Sequence, residues 1–285
     1  MRKLLVVFLL LIYSTCHGQS SIIVPTAAGG AVDTLARKFA QFVESKTNKP
    51  IVIENFPGAG GNIGIAKFLK SRSNTLMITS GSWFISINQG AFNLEDFIPV
   101  AILGEAPFFL ITSPTQNLTC EKIRYSKSQY FIGTATMSQT EIIGKSISKK
   151  HTHIENVPYK AVKSATMDLL GNHINLVLIG GTENATSSFS ILANSTSRRI
   201  NGIPSFSECL DMPNVGLTAD FILIAHKDSS SQFIKDIELL VLEFLKDREI
   251  QEYYQQTLIS NPNIRPSRID SKVLEKLNQW QHITR

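Results

Sequence analysis

Two stretches of this chain combine glycine with small residues in a way that can hold an anion. The first, Thr26-Ala27-Ala28-Gly29-Gly30, separates the β-branched run Ser21 to Pro25 from an apolar-periodic stretch through Leu35, Phe39, Phe42 and Val43. The second, Pro57-Gly58-Ala59-Gly60-Gly61, separates the strand-like Pro50 to Glu54 from a helix-like stretch, Asn62 to Lys70, with Ile63, Ala66 and Leu69 on one face. A helix that starts at such a turn leaves its first N–H groups unpaired and sets the positive end of its dipole behind them. Glycine lets a ligand oxygen come close to the main chain, and Gly29, Gly30, Gly58, Gly60 and Gly61 supply that approach. Two such starts facing one crevice form a cradle for phosphate or carboxylate. Asp33 lies just inside the first helix, where a carboxylate either bonds a free N–H or holds an amine or hydroxyl of a ligand. Neither Gly-x-Gly-x-x-Gly nor Gly-Lys-Ser/Thr occurs, so no dinucleotide fingerprint or P-loop is indicated.

The elements that position these turns follow from the same text. A third strand, Thr75 to Thr79, ends at Ser80-Gly81-Ser82, which gives strands alternating with helices and hence an α/β fold with a parallel sheet and right-handed crossovers. All three turns then lie at the carboxyl edge of the sheet, where open α/β folds bind ligands. After Pro99 the apolar runs Val100 to Gly104 and Pro107 to Thr112 have no helix between them and read as strands crossing into a second lobe. That lobe has a strand Tyr130 to Gly133, a loop Thr134 to Ser138, a helix to about Lys150, a strand Glu155 to Pro158, a helix through Ala165 and Leu169, and a strand Ile174 to Ile179. Gly180 to Ser197 is rich in Ser, Thr, Asn and Gly and reads as loop with one short strand. Phe221 to Ala225 returns to the first lobe, and the rest is helical. The expected organisation is residues 19–114 plus 220–285 in one lobe and 115–219 in the other, each a mixed, mostly parallel sheet flanked by helices. Closure is expected about Pro99 and the strand Phe221 to Ala225.

Composition narrows the class. Met1-Arg2-Lys3 followed by the apolar run Leu4 to Tyr13 has the shape of a signal peptide, with cleavage expected after Gly18 at residues 1–18. The alternative, a lipid on Cys16, has only Tyr13-Ser14-Thr15 as its lipobox. No later apolar stretch reaches the roughly 18 residues of a membrane span, so the processed chain is expected to be soluble in the periplasm. Charged residues make up 18% and apolar residues 43%, an ordinary globular balance. The net charge of +5 comes from scattered cations with no basic stripe interleaved with aromatics, which argues against nucleic acid. Cys120 and Cys209 are either bridged or free, and no Cys-x-x-Cys pair occurs.

Sharper chemistries find little footing. His151-Thr152-His153 either starts a metal site or is a pair of exposed loop histidines, and no third ligand lies nearby in sequence. No Gly-x-Ser-x-Gly elbow anchors a hydrolase, and Glu54 beside Asp33 reads better as a strand-end residue than as an acid–base partner. No enzyme activity, cofactor or metal is therefore expected. Lys160 is either a surface residue before a helix or a pocket contact; Trp83 and Phe84 either roof the pocket or pack the core; Asp168 is expected on the exposed face of its helix.

The run Ile22-Ile23-Val24-Pro25-Thr26-Ala27-Ala28-Gly29-Gly30 with Asp33 and Ala36, then Val52-Ile53-Glu54-Asn55 and Pro57-Gly58-Ala59-Gly60-Gly61-Asn62-Ile63-Gly64, closely resembles the receptors of tripartite tricarboxylate transporters, the Bug or TctC family. Asp96-Phe97-Ile98-Pro99-Val100, Val157-Pro158-Tyr159-Lys160, Asp168-Leu169-Leu170-Gly171 and Ile203-Pro204-Ser205 follow as further landmarks in order. The resemblance implies a two-lobed periplasmic binding protein, monomeric, that closes on a small carboxylate for membrane transporter subunits. It implies that Thr26, Ala27, Ala28, Gly29 and Gly30, with Gly58, Ala59, Gly60, Gly61 and Asn62, hold the ligand carboxylate largely through backbone groups. Ser80, Ser82, Thr134 and Thr136 would complete the pocket. The opposite-lobe loop, usually glycine-rich, here reads Thr134-Ala135-Thr136-Met137-Ser138, and Ala161 stands where glycine usually follows Tyr-Lys. A carboxylate-binding sensor uncoupled from transport is the other reading the sequence leaves open.

Overall fold

The computed structural model describes residues 20–180, 188–213, 216–262 and 269–284; the signal-peptide and Cys16 readings fall outside them, as does part of the loop predicted after Gly180. The first sheet is built from β1 (Ser21–Val24), β2 (Val52–Asn55), β3 (Leu76–Ser80) and parts of β4 (Phe97–Thr112) and β9 (Thr218–His226), in the order β2-β1-β3-β9-β4. β1 runs parallel to both β2 and β3, as alternation with helices predicts, while β9 is antiparallel to β3 and β4. The second sheet contains β5 (Tyr130–Ala135), β6 (Ile154–Tyr159), β7 (Leu176–Gly180) and β8 (Ser190–Asn194), with β5 parallel to β6 and β7, and with β7 and β8 antiparallel to the far end of β4.

Helices α1 (Ala31–Thr47), α2 (Asn62–Phe68) and α3 (Ser82–Asn88) follow β1, β2 and β3. In the second half come α4 (Cys120–Tyr125), α5 (Gln139–Lys150), α6 (Val162–Leu170) and α7 (Phe206–Leu210), and the chain closes with α8 (Ser231–Phe244), α9 (Arg248–Thr257) and α10 (Ile269–Thr284). Helix α1 buries Leu35, Phe39, Phe42 and Val43, the stripe read from the sequence, against one face of the first sheet. Phe39 and Phe42 meet Phe244 of α8 edge-on at 5.2 and 5.5 Å. Each such ring contributes about 1.5–3 kcal/mol by leaving water. On the other face a single core runs from Ile23, Phe68 and Trp83 through Phe108 to Ile132, Leu176 and Trp280, so the two sheets share apolar packing across β4.

β4 is one strand where the sequence suggested two. It pairs with β9 from Phe97 to Pro107 and with β7 from Phe108 to Ile111, with register shifts after Pro99 and after Ile102. Proline in a strand is tolerated at such irregularities because the ladder there needs no N–H from it. Pro99 pairs with Ile224 inside the first sheet, and the chain passes over at Ala106 to Phe108, beside Thr218 and Ala219, where the two predicted crossing runs meet. Helix α10, expected with the first lobe, packs against α3, β4 and α5 and so touches both sheets. Cys120 and Cys209 form a disulfide, with Cα atoms 4.9 Å apart, that ties α4 to α7.

Candidate functional site

The three turns of the first sheet lie side by side. A Cβ built on Gly61 would stand 3.6 Å from Pro25, at the first turn, and 3.8 Å from the Ser82 hydroxyl, at the third. Gly64 is pressed still harder, its would-be Cβ falling 2.6 Å from the Cα of Pro25, so α2 can seat against the end of β1 only because this residue lacks a side chain. The helix starts share a second property. Gly30, Gly61 and Gly81 cap α1, α2 and α3, and none contributes a side-chain cap. By contrast, Thr119, Ser138, Ser205, Ser230 and Asp247 cap α4, α5, α7, α8 and α9 through their side chains. A side-chain cap uses up an N–H that an incoming anion would otherwise receive. The three neighbouring first-sheet starts have no such side-chain competitor, as α6 at Ala161 also has none, although the Gly61 N–H already donates to the Gly58 carbonyl at 2.9 Å, the Asn62 N–H to the Ala59 carbonyl and the Phe84 N–H to the Gly81 carbonyl at 3.1 Å.

Asp33 is 2% exposed. Its Oδ2 accepts hydrogen bonds from the Gly29 N–H at 2.8 Å and from Arg37 Nε at 2.9 Å, and its Oδ1 accepts from Asn55 Nδ2 at 2.9 Å. Asn55 Nδ2 also reaches the Thr26 carbonyl at 3.2 Å. Burial works against the Asp33 charge, but Arg37, the Gly29 N–H and Asn55 together outweigh it and hold the carboxyl below its ordinary pKa. Both oxygens are thus committed to shaping the first turn. Of the two roles the sequence left open, the turn-building one is the role these bonds show. Ala27, Ala28, Gly29 and Gly30 are exposed, and the Thr26 hydroxyl is buried without a hydrogen bond in the protein.

The second sheet meets this edge through the turn between β5 and α5. Gly60, at φ 65°, could carry a Cβ only at 2.6 Å from the Met137 carbonyl oxygen, and one on Gly81 would fall 2.3 Å from Gln139 Nε2. Opposing turns are therefore in contact. A cavity of about 310 Å³ lies at this meeting, lined by Ala59, Gly60 and Asn62 on one side and Met137, Glu141 and Lys145 on the other, with Ser86 between. Asn62 Oδ1 accepts from the Ser86 hydroxyl at 2.6 Å, and the Ser80 and Ser82 hydroxyls are 2.9 Å apart.

Other predicted contacts fall elsewhere. Thr134 belongs to β5 and is fully buried, its hydroxyl donating to Asn156 Oδ1 at 2.9 Å, so its side chain serves the second sheet. Thr136 is exposed and its N–H is spent on the Tyr159 carbonyl; Lys160, one residue beyond, is also exposed. Trp83 and Phe84 are core, Trp83 meeting Phe97 edge-on at 5.4 Å. Asp168, expected on the open face of its helix, accepts from the Tyr159 hydroxyl at 2.7 Å and helps raise that phenol to about 12, after desolvation. His151 and His153 are half-buried, each with Nε2 at a backbone carbonyl, of Leu210 at 2.6 Å and Ile123 at 2.7 Å; no group of three metal-ligating residues occurs among the described residues. Met137, Gln139, Glu141 and Lys145 were missed. Their one sequence signal is Ser138-Gln139-Thr140-Glu141, a capping-box spacing that fixes where α5 starts and hence what faces Gly60 and Gly81.

No protein-family model matches the chain. It is 23% identical to the protein BugT of Bordetella pertussis over 93% of this chain and 87% of that one. Its fold superposes on the periplasmic binding protein BugD with a TM-score of 0.79 at 19% identity, covering 93% of this chain and 95% of that one. A TctC solute-binding protein from Polaromonas gives 0.69 at 19% identity, covering 94% and 99% of the two chains. A Rhodopseudomonas palustris protein solved with adipate gives 0.78 at 20% identity, covering 93% and 95%. The architecture is that of the periplasmic binding proteins, and along nearly its whole length the chain is similar to a Bug protein and to solved BugD and TctC solute-binding proteins.

Proposed function

We propose that this chain is a periplasmic receptor that captures a small carboxylate and delivers it to the membrane subunits of a tripartite tricarboxylate-type transporter, with no catalytic step. The observation that carries the reading is the set of three adjoining helix starts, at Gly30, Gly61 and Gly81, that lack side-chain caps. A carboxylate set among them accepts hydrogen bonds from backbone N–H groups and sits at the positive ends of the helix dipoles. A small dianion or monoanion suits this arrangement better than a large polyanion, because the opposing turns approach to contact at Gly60 and Gly81. The solved relative with adipate is consistent with a ligand of this kind. The bridge between Cys120 and Cys209 agrees with an exported, oxidising compartment.

In this reading the first-sheet turns anchor the acid group, and Met137, Glu141 and Lys145 of the opposite turn and helix meet the remainder. The test is thermal unfolding of the processed protein against mono-, di- and tricarboxylates. A ligand at about 100 times its Kd adds about 2.7 kcal/mol to the folded state and raises the melting temperature. A panel in which no carboxylate shifts the transition would remove the reading.

A further inference from the structure

Lys276 of α10 is 4% exposed, yet it is a charged residue on the last helix, far from either glycine turn in sequence. Its ammonium lies 2.8 Å from Asp220 Oδ1 and 2.8 Å from Glu105 Oε1, and it donates to the Thr218 hydroxyl at 2.6 Å. Thr218 in turn donates to Asp220 Oδ1 at 2.8 Å. Glu105 belongs to β4, and Thr218 and Asp220 belong to β9; Asp220 pairs with Glu105 and Thr218 with Pro107, at the start of β9 and just before β4 passes from the first sheet into the second. A buried ammonium is held in place by such carboxylates because none of the three can return to water without breaking the others' pairing.

The group also reaches the facing turns. Gln139, the first residue of α5, donates from Nε2 to the Thr218 carbonyl at 3.3 Å, and the same amide packs on Gly81. A chain of contacts therefore runs from Lys276, through Thr218 and Gln139, to the third turn of the cradle. Next to Lys276 along α10, Trp280 is fully buried and meets Phe108 edge-on at 6.2 Å, at the point where β4 enters the second sheet.

We propose that Lys276 is a positioning residue for ligand capture: from the C-terminal helix it ties the two crossover strands together and sets the angle at which the opposing turns meet. The effect on affinity rests on the carboxylate-receptor reading; the effect on the angle does not. Two strands alone can twist and bend about their passage between sheets, whereas strands cross-linked by a buried ion on a helix that packs against both halves resist it. Ligand capture gains when the competent arrangement is already the populated one.

The test uses the full processed chain with paired spin labels at Arg72 and Lys149, exposed positions on the two halves. Lys276→Met alone strands two buried carboxylates and can fail to fold, so the decisive variant is Glu105→Gln/Asp220→Asn/Lys276→Met, which removes every charge of the group together. The proposal expects this neutral variant to keep a cooperative thermal transition, to broaden the inter-label distance distribution in the absence of carboxylate, and to weaken binding of the best carboxylate about tenfold. Lys276→Arg, which keeps the charge, should restore a narrow distribution. A neutral variant with the unaltered distribution overturns the proposal whatever the binding result; if no carboxylate binds even the unaltered protein, the receptor reading fails while the distance measurement still decides the role of Lys276.

Discussion

The first-sheet turns and the turn between β5 and α5 face each other, yet they are built on opposite plans. On the first sheet, Gly30, Gly61 and Gly81 begin helices without side-chain caps, so no side chain at the cap position takes their main-chain donors, although the Gly29, Gly61 and Asn62 N–H groups already bond within the turns. Across the gap, the Ser138 hydroxyl accepts from the Glu141 N–H, the Thr140 hydroxyl accepts from the Ala135 N–H at 3.1 Å, and Glu141 Oε2 accepts from the Met137 N–H at 2.6 Å. That turn has spent its donors on itself. Two turns with the same strand-to-helix connection thus differ in what they offer: one set offers charge-seeking N–H groups, the other a closed surface that supplies contact and shape. Backbone donors in this arrangement are general for an acid group, so selectivity falls to side chains on the closed side, with Lys145 already paired to Glu141 at 2.7 Å.

The contrast can be broken from either side. Gly60→Val should have the largest effect, because a side chain at that φ is strained and its Cβ meets the Met137 carbonyl; carboxylate affinity measured by calorimetry is expected to fall roughly 100-fold, equivalent to about 2.8 kcal/mol. Asp33→Ala comes next. It takes the acceptor from the Gly29 N–H and from Arg37 Nε, and urea unfolding should show a loss of about 1–3 kcal/mol together with weaker binding. Ser138→Ala removes a cap on the closed side and should cost about 1 kcal/mol in the same unfolding assay while leaving carboxylate affinity unchanged. An equal loss of affinity from Ser138→Ala would erase the distinction between the two turns.

Acid titration separates the cradle from the passage between sheets with the smallest and most specific effect. Asp33 has its carboxyl pKa depressed on folding, so its contribution is present above the ordinary carboxylate range and is lost as pH falls through the lower, folded value. Asp220 is the reverse case: desolvation, only partly offset by Lys276, pushes it up to about 6. Its share of stability is therefore fully present below about 4 and is lost as pH rises towards 6. In thermal unfolding across this range, Asp33→Asn should flatten the acid limb and Asp220→Asn the limb between about 4 and 6. A variant that flattened the other's limb would contradict the assignment.

Much of the first half could be read from the sequence because its signals are local. A β-branched run, a glycine turn and an apolar stripe are adjacent in the chain, and β1, β2, β3 and the helices after the first two fell where that pattern put them, except that α2 turns Ile65 and Phe68 into the core and leaves Ile63 exposed, against the predicted face of Ile63, Ala66 and Leu69. Thr134 was misplaced because β5 continues to Ala135, so a residue read as loop lies inside the sheet under α5. The two predicted crossing strands, Val100 to Gly104 and Pro107 to Thr112, are one strand, because β4 absorbs the irregularities near Pro99 and Ile102 by shifts of register. Lys276 was invisible for a different reason. On an amphipathic helix it resembles any solvated cation, and only the crossing of β4 and β9, far earlier in the chain, supplies its partners. What a turn offers from its own backbone is legible locally; what packs against it is not.

The central claim is that the acid group is held by main-chain N–H groups of the first-sheet turns. Amide chemical shifts of isotopically labelled protein, followed while titrating the carboxylate that stabilises it most, test this directly. The largest changes are predicted at the N–H groups of Gly30 to Val32, Gly60 and Gly81 to Trp83, with smaller ones at Met137 to Glu141. Saturable binding that leaves the first-sheet amides unmoved and perturbs only the second sheet would contradict the account.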